Sequence, residues 1–126
     1  MTNPFALIIE DDPNLATIFA EALQMAEFET EIVHDGKAAL AQLAATTPAV
    51  VILDLHLPHV SGQTILQQIR ADGRLAQTRI LLATADALMA ESLREEADLV
   101  LLKPIGFHQL RDLAKRLRPP DITGLD

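Results

Sequence analysis

Asp54 ends a run of four apolar residues, Val50 to Leu53, and Glu10 and Asp11 follow a similar run, Phe5–Ile9. Asp12 extends that acidic group, Thr84 follows a third run, Ile80–Ala83, and Lys103–Pro104 follows a weaker fourth, Leu99–Leu102. If these runs are neighbouring strands, one end of a sheet gathers carboxylates, a hydroxyl and an ammonium. Like charges a few ångströms apart repel unless a cation neutralises them, and one lysine cannot balance three acids. A hard divalent cation can. Mg²⁺ fits best, because it takes one or two carboxylates, keeps several waters and favours phosphate as a further ligand. Beside it, a carboxylate at a strand end is a competent nucleophile toward phosphorus. Lys103 would hold one phosphoryl oxygen and the Thr84 hydroxyl would donate to another. The set reads as a phosphoryl-accepting site.

The elements that must position these groups are legible in the same way. The apolar runs are too short for helices and suit strands covered on both faces. Phe28–Val33, "FETEIV", alternates apolar and polar residues like an edge strand with one wet face. Between the runs, Leu15, Ile18, Phe19, Ala22, Leu23 and Ala26 keep the spacing of one buried helix face, and Pro13 suits a first helical position. Gly36–Ala45, Gly62–Ala71 and Ala87–Glu96 read as further helices, and Phe107, Leu110, Leu113, Ala114 and Leu117 as a fifth that Pro119–Pro120 stop. Strict alternation of strand and helix implies an α/β domain with a parallel sheet, helices on both faces and right-handed crossovers. Ligands of such sheets bind beyond the carboxyl ends of the strands, where the charged residues fall. Residues 1–118 make the domain; 119–126, polar and proline-bearing, read as a tail or the start of a linker.

Composition narrows the function. The chain has 126 residues, enough for one domain with a single core. Apolar residues make up 49% and aromatics 3%, so the core is built from Leu, Ile, Val and Ala. The net charge of −8 argues against nucleic-acid or anionic-membrane partners. The absence of cysteine excludes disulfides, thiolate catalysis and zinc–thiolate sites. The N-terminal residues lack a signal-peptide pattern and no apolar run reaches membrane-spanning length, so a cytoplasmic protein is expected.

The pieces "LIIEDDPNL", "VVILDLHLPHVSG", "LLATA" and "LLKP", in that order and at those spacings, resemble the receiver domains of two-component response regulators over about Phe5 to Leu117. The resemblance implies a doubly wound sheet of order 2-1-3-4-5 and a set of roles. Asp54 would be the phosphoacceptor, Glu10 and Asp11 the acidic pair, and Asp11 a direct Mg²⁺ ligand beside Asp54 and the backbone carbonyl of His56. Thr84 and Lys103 would read the phosphoryl group, and the bond before Pro104 would be cis. The donor would be a sensor histidine kinase or a histidine phosphotransfer protein. The chain would signal in trans to a downstream protein whose identity the residues do not reveal, and pair with a second copy through the fourth helix, fifth strand and fifth helix. It would catalyse only its own phosphorylation and dephosphorylation.

Three departures stand out. Val100 occupies the position three before the lysine, where relatives carry an aromatic switch residue. The Thr84–Lys103 stretch is short and lacks the usual glycine, so the fourth helix is expected to be short or displaced, and the chain is expected to act without an output domain. His56 and Asp86, two positions after Asp54 and Thr84, would tune the lifetime of the phosphoryl group. His56 with His59 as a transition-metal site is disfavoured by the oxygen-rich surroundings. His34 and His108 read as solvent-facing, Leu110, Leu113 and Leu117 as core, and Arg94–Asp98, "REEAD", as a solvated helix end. Two rival readings remain: a receiver-like module that signals by contact alone, and a small Mg²⁺-dependent phosphohydrolase, which would need a second carboxylic acid where His56 stands.

Overall fold

The apolar runs become the core because nothing else in the chain could satisfy backbone and side chain together in a dry interior. In the computed structural model, which describes residues 3–120, they form strands β1 (Phe5–Ile9), β2 (Glu29–Val33), β3 (Val50–Asp54), β4 (Arg79–Thr84) and β5 (Leu99–Leu102). All pair in parallel, in the order β2-β1-β3-β4-β5. Helices α1 (Pro13–Met25), α2 (Gly36–Ala45), α3 (Gly62–Ala71), α4 (Ala87–Ser92) and α5 (Phe107–Leu117) alternate with them. The expected tail falls largely outside the described residues: Pro119 and Pro120 are described, 121–126 are not. Among the described residues no helix is long and apolar enough to cross a membrane.

Side chains of successive strand residues point to opposite faces, and the two faces carry two cores. Ala6, Ile8, Val50, Ile52, Leu81 and Ala83 pack with Phe19 and Leu23 of α1 and Leu110 and Ala114 of α5. Leu7, Ile9, Val51, Leu53, Ile80 and Leu82 pack with Leu43 of α2 and Ile65, Leu66 and Ile69 of α3. The central strands are buried at every apolar position except Phe5, whereas β2 has no fully buried residue, as its alternating pattern predicts.

Four expectations need correction. The fourth helix stops at Ser92 rather than Glu96, and Arg94–Glu96 continue only as a 3₁₀ turn. β5 is covered only in part: Leu99 and Leu101 pack against one core and Val100 against the other, all half-buried, and Leu102 is 51% exposed. Ile18 is 41% exposed, because the helix-face spacing places it beside the buried stripe rather than within it. The "REEAD" stretch is not simply solvated. Asp98 accepts from Arg70 of α3 (2.9 Å), Arg79 of β4 (3.2 Å) and the Ile80 backbone N–H (2.7 Å). Arg70 also donates to the Glu96 and Thr78 carbonyls, at 2.7 and 3.2 Å. One carboxylate thus ties the entry of β5 to α3 and β4, at the end of the sheet away from Asp54.

Burial would raise the Asp98 pKa, but the Ile80 N–H and the two guanidinium groups outweigh it and hold the carboxyl below its ordinary value. A depressed acid stabilises the fold above the unfolded-state pKa and loses that contribution as pH falls through the folded-state value. We therefore expect Asp98→Asn to lower stability at pH 7 by about 1–2 kcal/mol. Urea melts of wild type and variant should converge as pH drops below about 4; a pH-independent difference would show that Asp98 contributes shape rather than charge.

Candidate functional site

Strand β1 ends at Ile9, and the next residue, Glu10, keeps its backbone N–H on the Val33 carbonyl at 3.1 Å. This holds a carboxylate inside the sheet's end, where Glu10 is 1% exposed. Its Oε1 accepts from Lys103 Nζ at 2.8 Å and its Oε2 from the Asp12 N–H at 3.3 Å. Asp54 closes β3 and is also buried. Its Oδ1 accepts the His56 N–H at 3.1 Å, and its Oδ2 lies 3.6 Å from Lys103 Nζ. Asp11 joins them from the solvent side, and one ligand atom each from Glu10, Asp11 and Asp54 lie within 4.8 Å of one another. Among the described residues this is the one group of three or more acidic or histidine side chains close enough to hold a metal ion. Its all-oxygen donor set, two buried carboxylates and one reaching in from solvent, fits a hard divalent cation.

Thr84 closes β4, rather than following it, and is fully buried. Its Oγ1 accepts the Asp86 N–H at 3.0 Å, so the hydroxyl proton is left to donate. Lys103 reaches the acids because its backbone N–H is held by the Thr84 carbonyl at 2.8 Å, one step beyond β5. The Lys103–Pro104 peptide is cis. The loop from Leu55 to Gly62 folds tightly against the strand that carries Asp54. A Cβ on Gly62 would lie 2.2 Å from the Asp54 carbonyl oxygen, and one on Gly36 would lie 2.1 Å from that of Val60. Only glycine permits either approach.

Sequence reasoning grouped Asp12 with the acids, but its side chain turns back to cap α1, accepting from Asn14 N (2.9 Å) and Leu15 N (3.3 Å). Asp86 likewise caps α4 through the Met89 N–H at 3.0 Å, while its Oδ2 stands 3.9 Å from His56 Nε2. That pair is largely solvated, so its attraction is weak. His59 is exposed and enters no metal-binding group. Val100 is partly buried against the α2–α3 core, as are Met89 and Ala97. His34 is exposed as expected, yet its Nδ1 lies 3.0 Å from the Glu10 carbonyl oxygen. No motif signals that contact, because it joins residues 24 positions apart. A groove of about 660 Å³ lined by Phe5, Pro48, Arg79, Arg116 and Arg118 lies at the opposite end of the sheet, away from these groups.

The sequence profile of the response regulator receiver domain matches residues 6–115. The chain is 29% identical over 124 residues to the sensor histidine kinase TmoS of Ectopseudomonas mendocina, covering 96% of this chain and 13% of that protein. It is 32% identical over 114 residues to the transcriptional regulatory protein TrcR of Mycobacterium tuberculosis, covering 89% of this chain and 43% of that protein. The chain therefore spans less than half the length of these curated relatives. Among solved structures, a CheY-like response regulator receiver domain from Methylobacillus flagellatus superposes with a TM-score of 0.82 at 27% identity, covering 93% of this chain and 100% of that one.

Charge is unevenly balanced at the site. Burial, and then the neighbouring Asp54 charge, push Glu10 up, against the Lys103 hydrogen bond that pulls it down, and it titrates at about 7. Burial alone would lower Lys103, but its Glu10 hydrogen bond and the Asp54 charge leave its pKa raised, so it stays an ammonium. An acid whose pKa is raised on folding takes up its proton in the folded state first, so stability is greatest below the unfolded value and declines as pH climbs to the folded one. In the absence of divalent cations, the stability of wild type relative to Glu10→Gln should rise as pH is lowered from 8 to 5, the span that brackets the value of about 7. Thermal melts in chelator across that range test this, and a flat difference would mean that Glu10 titrates as an ordinary carboxylate.

Proposed function

The chain belongs to the response regulator receiver domain family, and on that premise we propose that it accepts a phosphoryl group on Asp54 from the phosphohistidine of a sensor kinase or histidine phosphotransfer protein. The observation that carries this reading is the convergence of Glu10, Asp11, Asp54 and Lys103 at one end of the sheet. An Asp54 carboxylate oxygen would form the new O–P bond as the P–N bond to the donor imidazole breaks, the leaving nitrogen keeping the bonding pair. β3 and the tight Gly62 turn hold that carboxylate rigidly for in-line attack. Lys103 Nζ, now shared between Glu10 and Asp54, would turn to a phosphoryl oxygen, and the Thr84 hydroxyl would donate to another. Glu10, Asp11, Asp54 and the His56 carbonyl would hold Mg²⁺, which when bound neutralises negative charge on the carboxylates and the transferring group.

His56 and Asp86 flank the acceptor across 3.9 Å of solvated space and would govern how long the phosphoryl group persists against water. Signalling would pass in trans to a protein partner. Leu88 on α4, 86% exposed, and Leu102 on β5 are apolar groups that such a partner, or a second copy, would cover. A contact-only module is the second reading, favoured by one observation: Val100, partly buried on the apolar face, has no ring to rotate between core and surface.

Incubation with Mg²⁺ and a small acyl phosphate, followed by intact-mass analysis, separates the two. One added phosphoryl group is expected on wild type and none on Asp54→Asn, with Lys103→Ala and Thr84→Ala slowing its appearance by about tenfold or more. No adduct on wild type would leave the contact-only module, and turnover of phosphate esters would mark a hydrolase.

A further inference from the structure

We propose that His34 is a positioning residue for the acidic pair, acting on Asp11 through the backbone; the inference rests on the phosphoacceptor reading above. The β1–β2 register ends at the pair Ile9 and Val33. One step on, Glu10 still donates its N–H to the Val33 carbonyl, at 3.1 Å. The Glu10 carbonyl is met by a side chain, the His34 Nδ1 at 3.0 Å. A carbonyl oxygen only accepts, so Nδ1 carries the proton and donates.

That carbonyl belongs to the peptide joining Glu10 to Asp11. Because the peptide unit is planar, fixing its oxygen fixes where the Asp11 Cα sits and the direction of its N–Cα bond, from which the side chain is carried. The Glu10 carboxylate has its own restraints, Lys103 Nζ and the Asp12 N–H. Asp11 is exposed, and no hydrogen bond to another described side chain or backbone group fixes its carboxylate. Its place within 4.8 Å of the Glu10 and Asp54 oxygens therefore depends on the backbone that His34 helps to hold.

His34 is itself well anchored. It follows the last residue of β2 and precedes Asp35, which caps α2 through the Ala38 N–H at 2.8 Å. Next comes Gly36, which donates its N–H to the Pro58 carbonyl at 3.1 Å, in the loop that follows Asp54. The ring thus links the β1 end to a segment already seated against the acceptor loop.

Mg²⁺ titrations followed by backbone amide NMR shifts, with melting temperatures in chelator measured in parallel, test the role. His34→Ala should weaken Mg²⁺ binding by roughly tenfold with little change in the chelated melting temperature. His34→Asn, whose side-chain N–H sits where Nδ1 did, should recover most of that affinity. Binding by His34→Ala equal to wild type, or equal weakness in the alanine and asparagine variants, would overturn the proposal while leaving the phosphoacceptor reading standing. Failure of wild type to bind Mg²⁺, or binding undiminished in Asp11→Asn, would overturn both.

Discussion

Two buried carboxylates, Glu10 and Asp54, share one ammonium at the end of an apolar sheet. Charges leave water only when something compensates them, and here the compensation is incomplete, because Asp11 adds a third acid to the same cluster. The rest of the fold serves to impose that arrangement. Three strands deliver the four groups, parallel pairing sets their common level, and flanking helices prevent the strand ends from fraying apart. The site's excess negative charge is the property that the proposed cation and phosphoryl chemistry would use.

The loops that carry these groups are held by small, local devices rather than by bulk packing. Asp12, Asp35, Ser61 and Asp86 each cap the helix that follows a strand, so each connection turns sharply and the strand end stays exposed to ligand. Gly62 and Gly36 let two of these loops approach backbone atoms more closely than any Cβ allows. At the far end of the sheet, Asp98, Arg70 and Arg79 stitch the entry of β5 to its neighbours. A shortened α4 is thereby compatible with a β5 that still presents Lys103 at the correct depth.

Glu10, Asp11, Asp54, Thr84 and Lys103 were readable as one group because they lie at the ends of apolar runs, and an open parallel sheet brings such positions together. The helices were readable too: regular apolar spacing marked α1 and α5, and the segments Gly36–Ala45 and Gly62–Ala71 became α2 and α3. One error fell where a residue's partner lies far along the chain, and two where a local pattern left a choice open. Asp98 looked like part of a solvated acidic run because its partners Arg70 and Arg79 come 28 and 19 positions earlier. Asp12 looked like part of the acidic group beyond β1, yet a helix N-terminus competed for it and won. Ile18 looked buried because spacing marks a face but not its edge.

The sequence by itself determined the class of fold and the inventory of reactive groups, since strand–helix alternation and strand-end polarity are local patterns that burial must obey. Membership of the receiver family follows from the same ordered pieces. Only the tertiary structure decided which acid each donor meets. Lys103 sits closer to Glu10 than to Asp54, His34 takes the Glu10 carbonyl, and Leu102 of β5 faces solvent. Those outcomes depend on distances across strands and loops separated by up to 93 residues. No local pattern carries distances of that kind, because they are set by how all the layers pack at once.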